Sequence, residues 1–139
     1  MPLGDEHGIG LEGVRLRIIA WAFRPLHEVT ATLEIAGGRS FVTIARLDGW
    51  PANPHLNSMA RKYSGLRHLP YQIDGDHVHR FSDNAKLGAW AFGPQANLPI
   101  AAPISGGLRS FRDFLRTLGA EFHIEGVEKI DPPDWQGML

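Results

Sequence analysis

Two histidines separated by one residue, His77 and His79, follow the turn-forming run Asp74-Gly75-Asp76 and precede Arg80 and Phe81. On an extended strand, residues i and i+2 leave the same face roughly 6.6 Å apart, at about 3.3 Å per residue. Imidazoles so spaced can converge on one metal ion as neutral nitrogen ligands. They can also divide the work of general acid and general base, because histidine titrates near neutrality. Asp74-Gly75 is a two-residue turn signal that would fold residues 66–81 into a hairpin. Pairing across it sets Gln72 opposite His77, Pro70 opposite His79 and His68 opposite Phe81, and directly opposed side chains share a face. Taking Gly75-Asp76 as the turn keeps that face and sets Asp74 opposite His77, whereas an odd-length loop would turn His68 away. His68, His77 and His79 are thus the candidate metal set, with His55 and Asp74 as further ligand-binding candidates and a divalent transition metal as the cofactor. Arg80 faces away from the histidines on a regular strand, which counts against a metal-free ribonuclease design with an arginine on the phosphate. The ordinary reading comes first: an exposed pair on an edge hairpin, or one hydrogen-bonded at its rim. Metal binding comes second and metal-free catalysis third.

Other motifs carry less. Arg109, Arg112 and Arg116 fall at i, i+3 and i+7 of a helical pattern, a stripe that could track a nucleic-acid backbone or bind an anion. A solvated helix face is the plainer account, with Asp113 interrupting its charge. Ser105-Gly106-Gly107 ahead of the helix could hold an anion on free amides, although capping explains it as well. Gly8, Gly10 and Gly13 spell G-x-G-x-x-G, but a dinucleotide fingerprint must follow a strand and open a helix. Here a strand pattern follows, so it is rejected as a cofactor site. G-x-S-x-G, H-E-x-x-H and P-loop patterns are absent.

The elements that must position the histidines follow from periodicity. From Val14, residues alternate with period two up to Trp21 and Phe23, and Arg24-Pro25 ends the run. Val29, Ala31, Leu33 and Ile35 alternate with Glu28, Thr30, Thr32 and Glu34 as a second strand. Gly37-Gly38 is the turn into a third, residues 40–47. Residues 48–57 read as a loop long enough to be functional, and 59–65 as a helical turn. Ala89-Trp90-Ala91-Phe92 is taken as a strand, and residues 93–103 as extended. A helix spans about 108–118, capped by Ser105, with Leu108, Phe111, Leu115 and Leu118 as its apolar stripe and Gly119 just past its end. Residues 121–124 form a last short strand. The expected fold is an α+β domain: a mainly antiparallel sheet of about five to seven strands with one main C-terminal helix on one face.

Composition bounds the rest. At 139 residues the chain suits one domain: a flexible segment 1–13, a core domain 14–124 and an acidic tail 125–139. Hydrophobic content of 43% and charged content of 21% are ordinary for a globular chain, so a folded chain rather than wholesale disorder is expected. A net charge of −1 argues against a strongly cationic nucleic-acid binder. The absence of cysteine excludes disulfides, thiolate-bound zinc and thiol catalysis. No signal-peptide pattern and no apolar stretch of bilayer length is present, so a soluble cytoplasmic protein without membrane contact is expected. The basic middle, with Arg61, Lys62, Arg67 and Arg80, and the acidic end suggest self-neutralisation across the fold. In the tail, Ile130, Trp135, Met138 and Leu139 would pack on their own domain, or dock on a protein partner or second copy.

Pro54-His55-Leu56-Asn57, then Gly75-Asp76-His77-Val78-His79-Arg80-Phe81, then Trp90-Ala91 and the helix from Arg109 form a series. Taken together, these pieces resemble an uncharacterised bacterial family of small proteins met in mobile genetic elements, with a Pro-His-x-Asn loop and a Gly-x-His-x-His-x-aromatic strand. The likeness covers about half the chain. It departs where Ser58-Met59-Ala60 follows Asn57, since the family usually has a proline there. The resemblance implies a shared architecture and groups His55 with the hairpin; the family has no established activity to carry over. The functional expectation is a small binding or regulatory module acting through loop and hairpin. The alternative is a histidine-based phosphodiesterase or nuclease, with or without metal.

Overall fold

The computed structural model describes residues 2–4 and 10–133. Its frame is a six-stranded antiparallel sheet made of β1 (Pro2–Gly4), β2 (Gly10–Ile19), β3 (Val29–Gly37), β4 (Ser40–Gly49), β7 (His77–His79) and β8 (Ala102–Pro103), side by side in that order. A separate two-stranded sheet pairs β5 (His55–Leu56) with β6 (Gln72–Ile73). Short helix α1 (Phe81–Ala85) follows β7, and the main helix is α2 (Phe111–Phe122). The α+β architecture with a largely antiparallel sheet and one main helix is therefore the one the sequence indicates.

Alternation sorts the sheet into an apolar and a polar face. Ile18, Ala31, Leu47, Val78 and Ala102 stand in one cross-strand row. This face packs on α2, whose Phe111, Phe114, Leu115, Leu118 and Phe122 are all buried. Burying a side chain of that size stabilises the fold by about 1.5–3 kcal/mol. On the opposite face two largely polar rows cross the sheet, Thr30–Asp48–His77, with Ile19 at its outer end, and Arg17–Thr32–Arg46–His79. A second apolar cluster of Ala60, Leu66, Leu87, Ala91 and Ile100 lies under the segments after β5.

Several expectations are corrected. Residues 66–81 are not a hairpin: β6 pairs with β5, whereas β7 lies between β4 and β8. A two-residue hairpin turn needs φ above zero, and Gly75 is not among the glycines that adopt it. Instead, Asp76 accepts hydrogen bonds from the amides of Trp50 (2.7 Å) and Leu108 (2.8 Å), which pins residues 74–76 as a crossing between sheets. Residues 89–92 form a 3-10 turn rather than a strand, entered through Gly88 at φ 96°. Residues 121–124 are no strand, because α2 runs to Phe122 and ends on His123 in the left-handed region. The helix starts at Phe111, with Ser110 accepting from the Asp113 amide (3.1 Å), so Ser105 is not its cap and Arg109 lies outside it.

Both proposed ends of the domain carry structure as well. Within the segment taken as flexible, Pro2–Gly4 pairs with β2, while Gly8 lies outside the described residues. Beyond the boundary at 124, Val127 is buried in the core and Ile130 packs against it. Trp135, Met138 and Leu139 lie outside the described residues. Among the described residues, no helix is long and apolar enough to cross a membrane.

Gly119, expected just beyond the helix, lies inside its last turn, and the chain folds back over it after His123. A Cβ at this position would come within 2.9 Å of both the Ile124 carbonyl and Val127 Cγ2. Alanine ordinarily favours a helix interior over glycine by about 1 kcal/mol. Gly119→Ala is nevertheless expected to destabilise the fold, by about 1–3 kcal/mol of overpacking. Urea unfolding of the two proteins checks this, and a more stable variant would refute the packing argument.

Candidate functional site

The register between β4 and β7 builds the site. Asp48 is paired with His77 and Arg46 with His79, so two short i, i+2 patterns on separate strands meet on one face. His55, on β5, closes over them: its ring centroid lies 5.4 Å from that of His77 and 4.8 Å from that of His79, and the latter two are 5.1 Å apart. One ring nitrogen from each histidine lies within 4.8 Å of the others. His79 is fully buried, His77 nearly so, and His55 half-buried.

Each imidazole has one nitrogen anchored. His77 Nδ1 lies 2.9 Å from the Gly75 carbonyl and His79 Nδ1 lies 2.7 Å from that of Leu98. A carbonyl only accepts, so both Nδ1 atoms carry the proton and donate. His55 Nε2 lies 3.0 Å from the Pro99 carbonyl and 3.0 Å from Asn57 Oδ1. Asn57 leaves no choice of orientation, since its Nδ2 donates to the carbonyls of Pro70 and Ala101 while its Oδ1 accepts from the Ala101 amide. His55 therefore donates from Nε2. In the neutral rings, lone pairs remain on His55 Nδ1, His77 Nε2 and His79 Nε2.

Asp48 faces two of these. Its Oδ2 lies 3.4 Å from His77 Nε2 and 3.1 Å from His79 Nε2, while Thr30 donates to its Oδ1 at 3.1 Å. Burial opposes the Asp48 charge, while protons on His77 and His79 Nε2 and the Arg46 guanidinium would pull the carboxyl well below the usual range. Burial pushes His79 the other way from a gain of charge, down to about 4, against the pull of Asp48. The two tendencies compete, because a neutral His79 with its proton on Nδ1 has none to give Asp48 from Nε2. Burial, the largest influence, decides for the neutral ring, and the Leu98 bond fixes its tautomer with the proton on Nδ1. Carboxylate oxygen and imidazole nitrogen then oppose each other as electron pairs. Arg46 bridges them, donating from Nε to Asp48 Oδ2 at 2.9 Å and from Nη2 to His79 Nε2 at 2.8 Å. Burial and the neighbouring His77 also lower His55.

A cleft of about 240 Å3 opens beside the cluster, lined among others by Arg46, Asp48, Pro54, His55 and His77. His79 is not among its lining residues.

Of the residues singled out from sequence, His55, His77 and His79 come together. His68 is exposed in a turn away from them, because the hairpin that would have aligned it does not form. Asp74 is exposed too and accepts from Gln72 Nε2 at 2.6 Å. Arg80 caps α1 and makes a bidentate pair with Glu121 at 2.8 and 2.7 Å. Arg112 and Arg116 are exposed on α2, while Arg109 precedes the helix, so the stripe of three loses a member. Arg46, Asp48 and the bracing asparagines Asn57 and Asn84 went unrecognised as site residues. The one signal for the first two was a charged pair at strand spacing, matching that of His77 and His79. Compared with protein-family models, curated proteins and solved structures, the chain gives no match.

Two outcomes are expected. Asn57→Ala removes a fully buried amide with four hydrogen-bonding contacts and strands its backbone partners, so thermal unfolding should show a loss on the order of 3 kcal/mol or more. A loss under 1 kcal/mol would refute that role. For His79, the unfolded chain binds the proton near 6.5 and the folded chain only near 4. Stability is thus complete above about 6.5 and falls as pH drops towards 4, by on the order of 3 kcal/mol from this group. Urea unfolding across that window checks the slope, and a flat profile would contradict it.

Proposed function

We propose that the protein is a small binding module whose ligand is a divalent transition metal ion, held by His55, His77 and His79 with Asp48 as the adjoining carboxylate. The observation that carries this reading is the anchoring of all three imidazoles. In each, one nitrogen is committed to a backbone carbonyl, as the outer nitrogen of a metal-bound histidine usually is. The other nitrogen keeps its lone pair, and those of His77 and His79 face the Asp48 carboxylate, where a cation turns repulsion into attraction. Imidazole and carboxylate together suit zinc-like ions. The resemblance to the mobile-element family groups the same three histidines and is carried along as part of the proposal.

A second reading, hydrolysis of phosphodiesters, is favoured by one feature. The cluster borders an open cleft, and catalytic zinc sites pair three protein ligands with an open position. A bound ion would supply Lewis acidity there.

The test is cobalt(II) and zinc titration of the purified full chain after chelator treatment, followed by calorimetry and the visible spectrum. One equivalent is expected to bind and to raise the unfolding temperature. His55→Ala should weaken binding by roughly 100-fold or more, comparable to or beyond the loss of an outer-sphere partner, while His68→Ala should bind like the wild type. No stoichiometric binding, or equal losses in both variants, would overturn the reading.

A further inference from the structure

We propose that Arg46 is the anion-recognising residue of this site, releasing His79 to the ion and turning its guanidinium to a singly charged oxyanion, such as a phosphodiester, in the cleft. The inference rests on the metal-binding reading and names the ligand that accompanies the ion.

Geometry supplies the first argument. One edge of the Arg46 guanidinium, Nε and Nη2, is engaged with Asp48 Oδ2 and His79 Nε2. Nη2 therefore sits on the lone pair that an ion would take. Ion and guanidinium compete for the same nitrogen, so ion binding frees at least one Arg46 donor. Among the described residues, Nη1 has no protein partner, and Arg46 lines the cleft. A freed Nη2 beside Nη1 is the fork that binds two oxygens of a planar or tetrahedral oxyanion.

Charge supplies the second. The ionisable residues lining the cleft are Arg46, Asp48, Glu28 and two histidines. With the histidines neutral, as ligands of an ion must be, these carry one positive and two negative charges, a net of −1. A divalent ion makes this +1, which a single negative charge on the ligand neutralises. Uncompensated charge in a partly buried site is costly. The second carboxylate, Glu28, stands on the cleft wall and disfavours a doubly charged ligand. Cation, guanidinium fork and cleft thus fit the charge and shape of a phosphodiester group.

Cobalt(II) titration of the full chain, with and without dimethyl phosphate in large excess, tests this. In the wild type the phosphodiester should tighten cobalt binding several-fold. Arg46→Gln removes the competing cation. It should bind cobalt about tenfold more tightly, the equivalent of one charge-assisted hydrogen bond, and lose the response to dimethyl phosphate. Arg46→Lys keeps the charge beside Asp48 without the fork and serves if the glutamine variant unfolds; it too should bind cobalt but lose the phosphodiester response. Weaker cobalt binding in Arg46→Gln, or a phosphodiester response that survives either substitution, would overturn the inference while leaving the metal site intact. A wild-type chain that binds no cobalt would instead sink the metal reading and this inference together.

Discussion

The stretch from Leu98, which enters it in the left-handed region at φ 55°, to Pro103 is the constraint on which the site depends. Buried backbone that belongs to no long strand must still satisfy its polar groups, and here side chains do so. His79 donates to the Leu98 carbonyl and His55 to that of Pro99. Asn84 closes both backbone groups of Ile100, and Asn57 both of Ala101, before Ala102 joins the sheet beside Val78. The same hydrogen bonds that make this segment tolerable in the interior orient the imidazoles. Stability and site geometry are therefore one network, and His79 cannot turn without leaving the buried Leu98 carbonyl unpaired.

The sheet contributes through register. Leu47 opposite Val78 is fixed by the core, where both are fully buried under α2. Because strand side chains alternate, that apolar pairing also sets Asp48 beside His77 and Arg46 beside His79 on the reverse face. A slip of one residue would drive the polar pairs into the core. The hydrophobic effect thus sets which charged groups lie opposite one another on the reverse face. Arg46 then has a double place, as the counter-charge of Asp48 and as the donor on His79.

Much of the fold was legible because it is local. The alternation in residues 14–19 and 29–35, the Gly37-Gly38 turn and the stripe along Phe111, Leu115 and Leu118 each declare their element within a short window. The spacing of His77 and His79 likewise marks a shared face, and the Pro54-His55-Leu56-Asn57 motif groups His55 with them only through a family resemblance.

What tertiary structure alone decided is who pairs with whom. Asp74-Gly75 has the composition of a hairpin turn, but Gly75 keeps a negative φ because Asp76 is drawn to the amides of Trp50 and Leu108, distant in sequence. That choice sends β7 to β4, removes His68 and Asp74 from the cluster and brings in Asp48 and Arg46. A sequence determines the period and the faces of its elements through short-range sterics and burial. The partner of each strand is a long-range competition among buried polar groups, and nothing within one window records its outcome.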